Sequence, residues 1–111
     1  MPISQLGDEL GRRPFGYLIT VGDDGRPHVV ALRPQLVTVA DRSVVRFAAG
    51  SRRAAHNIGQ RPDVTIVFPP TDEGGMSLIV DGAGVVDADH IDIDPTWAVL
   101  HRDAPSIVEP G

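Results

Sequence analysis

A serine followed by two arginines, Ser51, Arg52 and Arg53, is the group in this sequence with the most direct chemical meaning. The three residues follow a strand-like apolar run and open a segment with helical character. Ser51 is a favourable helix N-cap, because its hydroxyl accepts hydrogen bonds from the free N–H groups of a first turn. Two cations at the positive end of a helix dipole are unfavourable unless an anion lies beside them. We therefore predict a phosphate-binding seat at Ser51, Arg52 and Arg53. The alternative is that both guanidinium groups extend into water and bind nothing.

The composition excludes several other kinds of site. The 111 residues contain no cysteine, which excludes disulfides, thiolate nucleophiles and cysteine-based metal sites. All ten basic residues are arginine, which excludes a cofactor linked to lysine. The formal net charge of −5 disfavours a nucleic-acid partner. Neither a bilayer-spanning apolar run nor the apolar core of a secretion signal is visible, so we expect a cytoplasmic protein without a membrane partner.

The elements that must position the seat are mostly strands. Runs of apolar and β-branched residues, separated by turn residues, predict five strands or strand pairs. They cover residues 15–21, 27–39, 43–49, 63–68 and 76–88. Pro34 should bulge or bend the long second run or lie at a sheet edge, and Gly82 with Gly84 permits a bend or close packing in the last run. This pattern predicts a mainly β, single-domain protein over residues 1–111, built as a small antiparallel barrel of about six strands.

Three short helices complete the predicted architecture. Residues 3–12 form a weak amphipathic helix that Pro14 ends, and a central helix runs from Ser51 to a stop at Gly59. A third helix is predicted over residues 95–102, with Asp94 as N-cap and Pro95 in its first position. We thus expect an N-terminal helix within residues 1–14, a barrel over 15–88, and a C-terminal helix and tail over 89–111.

An acidic segment, residues 87–94, holds four carboxylates and His90. It could be a metal site, or a solvated strand end that leads into the helix N-cap. It lacks the glycine and glutamate positions of a calcium loop, so we favour the second interpretation and assign no metal site. His28 is interpreted as a surface or half-buried residue, and no catalytic residue is assigned.

Three stretches carry a resemblance to a known family. They are GYLITVGDDGRPHVV at 16–30, FAAGSRRAAHNIGQRPDVTIVF at 47–68 and LIVDGAGVV at 78–86. Their order and spacing resemble the split β-barrel flavoproteins, namely the pyridoxamine 5′-phosphate oxidase-like group and its deazaflavin-using relatives. The first stretch is similar to that group's first hairpin, the second to its strand, helix and following strand, and the third to a later strand.

The resemblance implies a split barrel with Greek-key-like connections that forms a homodimer and binds flavin mononucleotide (FMN), or a deazaflavin, between subunits. It implies that Ser51, Arg52 and Arg53 hold the cofactor phosphate, and that Ala48 and Ala49 lie near the ring or its side chain. Asn57, one helical turn beyond Arg53, could orient that arginine. The implied function is a flavin- or deazaflavin-dependent oxidoreductase that transfers hydride or electrons to a small-molecule substrate. The alternative is a split-barrel protein that binds a cofactor or ligand without catalysis.

Overall fold

Seven antiparallel strands form a single sheet in the computed structural model, which describes residues 1–105. The strands are β1 (Gly16–Val21), β2 (Pro27–Leu32), β3 (Gln35–Val39), β4 (Arg42–Ala48), β5 (Asp63–Phe68), β6 (Ser77–Asp87) and β7 (His90–His101). Their order across the sheet is β2-β1-β5-β6-β7-β4-β3. The apolar runs found in the sequence therefore became strands, with the long second run divided in two.

The two edge strands of this sheet, β2 and β3, are consecutive in the chain. Only Arg33 and Pro34 connect them. Such a link reaches roughly 10 Å, whereas six interstrand spacings of about 4.8 Å take up roughly 29 Å. The sheet must therefore curl until its edges meet. No ladder joins β2 to β3 within residues 1–105, so the barrel is split there. The predicted small antiparallel split β-barrel is confirmed, and Pro34 forms its corner.

Two short helices and a 3-10 turn accompany the barrel. The 3-10 turn is Ile3–Gln5, α1 is Leu6–Leu10 and α2 is Arg52–Gln60. The N-terminal helix is thus shorter than the predicted 3–12, and α2 continues through Gly59 to Gln60. Ala54 and Ile58 of α2 are buried in the barrel core. A Cβ on Gly84 of β6 would lie 2.9 Å from Ile58 Cγ2, so this glycine lets α2 pack directly on the sheet.

The predicted C-terminal helix over residues 95–102 is wrong. Residues 90–101 form β7, which pairs with both β4 and β6. Ile91 and Ile93 point into the core while Asp92 alternates with them, and this period of two is the pattern of a strand. Asp94 is accordingly no helix N-cap. Pro95 lies at the register shift opposite Gly82, where the ladder is already interrupted, so a proline is tolerated there.

The boundaries of the barrel shift as a consequence. The barrel extends beyond the predicted limit of residue 88, because β7 is one of its central strands. The rest of the predicted tail, from residue 106 onward, lies outside the described residues. Within residues 1–105, no helix combines the length and the apolar character that crossing a bilayer requires.

Candidate functional site

Ser51 lies between the end of β4 and the start of α2 and caps the helix as predicted. Its backbone is extended (φ −119°, ψ 115°), and its Oγ accepts a hydrogen bond from the Ala54 N–H at 3.2 Å. The cap uses a lone pair of the oxygen. The hydroxyl hydrogen donates to no group within residues 1–105, so it remains available to a ligand.

Arg52 and Arg53 occupy the first two positions of α2 and are both exposed. Across the described part of the chain, neither guanidinium makes an ion pair or a hydrogen bond, and the first turn of α2 contains no acidic residue. By contrast, Arg46 and Arg61 each have a carboxylate partner. The helix therefore presents two unneutralised cations at the end where its dipole is already positive.

Two clefts flank this segment. The first, here called the hairpin cleft, has a volume of about 610 Å³ and lies between the β1–β2 turn and α2. Its polar lining residues are Asp23, Asp24, Arg26, His28, Arg53, His56 and Asn57. The second, here called the strand cleft, has a volume of about 390 Å³ and is lined mainly by β3, β4 and the β6–β7 turn. Its lining residues include Arg33, Arg46, Ala48, Asp89 and His90.

The structure divides the sequence-predicted site residues between these clefts. Arg53 and Asn57 line the hairpin cleft, Ala48 lines the strand cleft, and Ser51 and Arg52 line neither of the two. Ala49 is half-buried against the core, and its N–H donates to the Asp89 carbonyl at 2.9 Å. The predicted residues are thus divided between two clefts and do not line a single cavity.

Asn57 holds α2 on the barrel. It is buried, with 2% of its surface exposed, and its Nδ2 donates to Thr20 Oγ1 at 3.0 Å. Its amide makes no hydrogen bond to Arg53 in the described structure. Asn57 was expected to orient Arg53. It instead makes a hydrogen bond from helix to strand, which fixes the distance of α2 from β1.

A charged cluster at the mouth of the hairpin cleft was missed by sequence reasoning. Asp23, in the β1–β2 turn, lies 2.6 Å from Arg61 Nη2 and 2.8 Å from His56 Nε2. The Arg61 hydrogen bond, followed by the His56 hydrogen bond, lowers the pKa of the Asp23 carboxyl. Asp23 is 33 positions from His56 and 38 from Arg61 in the chain, and no local motif indicates either contact.

His28 lies on β2 directly opposite Thr20 and is half-buried, as predicted. Its Nε2 is buried and has no hydrogen-bond partner in the described structure. Buried polar atoms are nearly always paired, so an unpaired ring nitrogen beside an open cleft requires an explanation.

The acidic segment contributes ion pairs to the sheet. Arg46 on β4 lies opposite Asp92 on β7 and makes two hydrogen bonds to its carboxylate, at 2.7 and 2.9 Å. These bonds lower the pKa of the Asp92 carboxyl and raise that of the Arg46 guanidinium. Arg42 pairs with Asp94 at 2.7 Å. Within residues 1–105, no three His, Asp or Glu side chains are grouped so as to hold a metal ion.

The fold is shared with several solved structures. An F420 reductase superposes with a TM-score of 0.66 at 24% identity, over 83% of this chain and 94% of that one. A Clostridium acetobutylicum protein of the pyridoxinephosphate oxidase family gives a TM-score of 0.69 at 13% identity, over 92% and 91% of the two chains. HutZ, a heme storage protein from Vibrio cholerae, gives 0.60 at 15% identity, over 88% and 93%. These likenesses show that the chain has the split β-barrel fold that the sequence resemblance predicts.

The sequence has two nearer relatives. Uncharacterized proteins of Mycobacterium bovis (Mb0449c) and Mycobacterium tuberculosis (MT0457) are each 40% identical to it, over 92% of this chain and 80% of theirs. No protein-family model matches the chain. At this identity and coverage, the chain belongs to the family of these two mycobacterial proteins.

Proposed function

We propose that this protein is a cytoplasmic, homodimeric oxidoreductase that uses FMN, or alternatively a deazaflavin, to reduce or oxidise a small-molecule substrate. The observation that carries the proposal is the unneutralised pair Arg52 and Arg53 at the capped start of α2. The fold supports it, because one solved structure with this fold is an F420 reductase and another belongs to the pyridoxinephosphate oxidase family.

The residues at the start of α2 fit a phosphate ester. The doubly charged group would accept hydrogen bonds from the Ser51 hydroxyl and from the first N–H groups of the helix, which have no intrahelical partner. Arg52 and Arg53 would neutralise its charge. Ala48 and Ala49, immediately before, have side chains too small to block a planar ring from approaching the backbone.

The division of labour in such a protein places the chemistry on the cofactor. The flavin or deazaflavin would supply hydride or electron transfer, while the chain binds, orients and tunes it. This fits the residues of the site, which are suited to binding an anion and to packing against a ring.

The proposed dimer uses the outer face of the barrel. Alternate residues of five strands point away from the core and form two adjacent rows across the sheet. One row is Ala31, Tyr17, Val67, Ile79 and Val99, and the other is Val29, Ile19, Thr65, Asp81 and Trp97.

Eight of these ten side chains are apolar, and the two polar ones satisfy each other, because Thr65 Oγ1 donates to Asp81 Oδ1 at 2.6 Å. Val29 and Trp97 remain 52% and 51% exposed. An apolar face of this kind, built from one sheet, suits the twofold contact of two identical subunits.

The test of the proposal is the absorption spectrum of the purified protein, followed by titration with FMN and with a deazaflavin coenzyme. We expect a bound flavin spectrum, or saturable binding of one of the two cofactors. A colourless protein that binds neither cofactor under saturating conditions would rule out the proposal.

The second candidate function is binding without turnover. HutZ shows that a protein with this fold can store a ligand. Anaerobic reduction of the bound cofactor by nicotinamide donors, or by substrates from a broad screen, separates the two functions. Reduction supports the oxidoreductase, whereas a cofactor that binds and is never reduced supports the storage or carrier role.

A further inference from the structure

The hairpin cleft contains more free donors than free acceptors. Its carboxylates already have partners within the fold: Asp23 lies against Arg61 and His56, and Asp24 Oδ1 accepts the Arg26 backbone N–H at 3.0 Å. The guanidinium of Arg61 offsets the charge of Asp23. The charge of one carboxylate, Asp24, therefore remains to be set against the guanidinium groups of Arg26 and Arg53.

Those cations have no partners in the part of the chain that the structure describes. The guanidinium groups of Arg26 and Arg53 make no ion pair or hydrogen bond with any residue of the range 1–105. His28 adds a buried Nε2 without a partner, which as a neutral Nε2–H tautomer is a hydrogen-bond donor. Two guanidiniums and one ring N–H around an open cleft are the donor set that an oxyanion requires. A ligand oxygen would also satisfy the His28 nitrogen, whose unpaired burial is unfavourable.

We propose that the hairpin cleft is a second oxyanion site, which binds the phosphate or carboxylate group of a small molecule at a place distinct from the cofactor seat at Ser51, Arg52 and Arg53. Two of its three donors, Arg26 and His28, come from the β1–β2 hairpin and not from α2. Only Arg53 belongs to both sites. The volume of about 610 Å³ accommodates a small metabolite and not merely a bare ion.

The test follows the histidine ring signals by NMR while inorganic phosphate, or separately acetate, is added at fixed pH and fixed ionic strength. The chain has four histidines, and His28→Gln assigns the relevant signal. We expect the His28 signal to shift and saturate, while the signal of the exposed His101 at the end of β7 does not move. Saturation with phosphate alone identifies a phosphate site, and saturation with both anions identifies a general oxyanion site; each supports the proposal.

Charge variants separate this site from the cofactor seat. Arg26→Gln should raise the half-saturating phosphate concentration by roughly tenfold or more, because a charge-assisted hydrogen bond is lost, and should leave FMN affinity unchanged. Arg12→Gln, the same charge change on an exposed residue outside the cleft, should have an effect of less than about twofold. Arg52→Gln should weaken FMN binding and leave the His28 titration intact.

Three results would overturn the proposal. They are a His28 signal that does not respond to either anion, an equal response in the Arg26→Gln and Arg12→Gln proteins, and loss of the response in Arg52→Gln. The last result would place the anion at the cofactor seat. Because FMN affinity is measured separately, failure of the second site and failure of the proposed cofactor function give different outcomes.

Discussion

Four of the ten arginines differ in whether they have a partner. Arg46 and Arg61 are fixed by carboxylates across the barrel, whereas Arg52 and Arg53 face solvent without a partner in the described structure. The first group stabilises the fold. The second group has no structural task that the contacts reveal, which is why we assign it to a ligand.

The Arg46–Asp92 pair makes a prediction about pH. Because Arg46 lowers the pKa of the folded-state Asp92 carboxyl, the pair stabilises the fold above the ordinary carboxyl pKa of about 3.9. This contribution is lost as the pH falls through the lowered folded-state value. We expect Asp92→Asn to reduce the melting temperature at pH 7, with the difference from wild type shrinking below about pH 4.

The control for this measurement is Asp72→Asn, a change at an exposed loop carboxylate, which should leave the melting temperature unaltered at both pH values. A constant difference between Asp92→Asn and wild type over the whole pH range would contradict the assigned cause.

The N-cap makes a second residue-scale prediction. Ser51→Ala removes the Oγ that accepts from Ala54 and should lower the free energy of unfolding by about 1 kcal/mol. Ser51→Asn retains a capping oxygen and should remain close to wild type. Chemical denaturation followed by circular dichroism measures both. An alanine variant as stable as the asparagine variant would show that the cap contributes nothing.

For individual residues, the sequence predicts contacts between neighbours in the chain. The capping role of Ser51 follows from the residues beside it. The contacts of Asn57 with Thr20, and of Asp23 with His56 and Arg61, join segments that only the folded barrel brings together. No spacing rule along the chain reports such contacts, so these partners could not be predicted.

At the scale of elements, glycines determine where β6, β7 and α2 meet. A Cβ on Gly82 would lie 2.5 Å from the Asp94 carbonyl oxygen, so Gly82→Ala must displace β7 or strain β6. We expect it to lower the free energy of unfolding by roughly 1–3 kcal/mol. Denaturant unfolding of the purified variant measures the loss.

Gly59 provides the opposite case. It lies in α2, is exposed, and has no atom within 4 Å of where a Cβ would stand. Gly59→Ala should therefore raise the free energy of unfolding by about 0.5–1 kcal/mol through helix propensity. If both glycine variants changed stability in the same direction, the packing account of Gly82 would be wrong.

Residues 95–102 were predicted to be a helix, and residues 95–101 belong instead to strand β7. Asp94 followed by Pro95 is a strong local signal for a helix start, and it favoured a helix over residues 95–102. The alternation of Ile91, Asp92 and Ile93 indicates a strand. The strand prevails because β7 gains hydrogen-bonded neighbours on both sides, β4 and β6, which a terminal helix would leave unpaired.

For the whole molecule, closure of the barrel was predictable because Pro34 interrupts a long apolar run. The division of the predicted site between two clefts was not predictable, since it depends on how α2 lies over the barrel. The outer sheet face was also hidden, because strand order determines which side chains form its rows.

The outer face makes the prediction for assembly. We expect a homodimer by analytical ultracentrifugation at micromolar concentration. Val29→Glu places a charge on the outer face of each of the two subunits. These charges should convert the protein to a monomer. Val39→Glu, a matched change at an exposed valine on β3 outside the two rows, should remain dimeric. A monomeric wild type, or a dimeric Val29→Glu protein, would contradict the proposed interface.

The central claim is that Arg52 and Arg53 bind the phosphate of a cofactor. FMN titration of the double variant Arg52→Ala/Arg53→Ala tests this claim most directly. Loss of two charge-assisted contacts should weaken FMN binding by roughly a hundredfold or more. The control, Arg12→Ala/Arg102→Ala, removes the same charge from exposed positions outside the site and should bind FMN as the wild type does. Wild-type FMN affinity in the Arg52→Ala/Arg53→Ala protein would contradict the account.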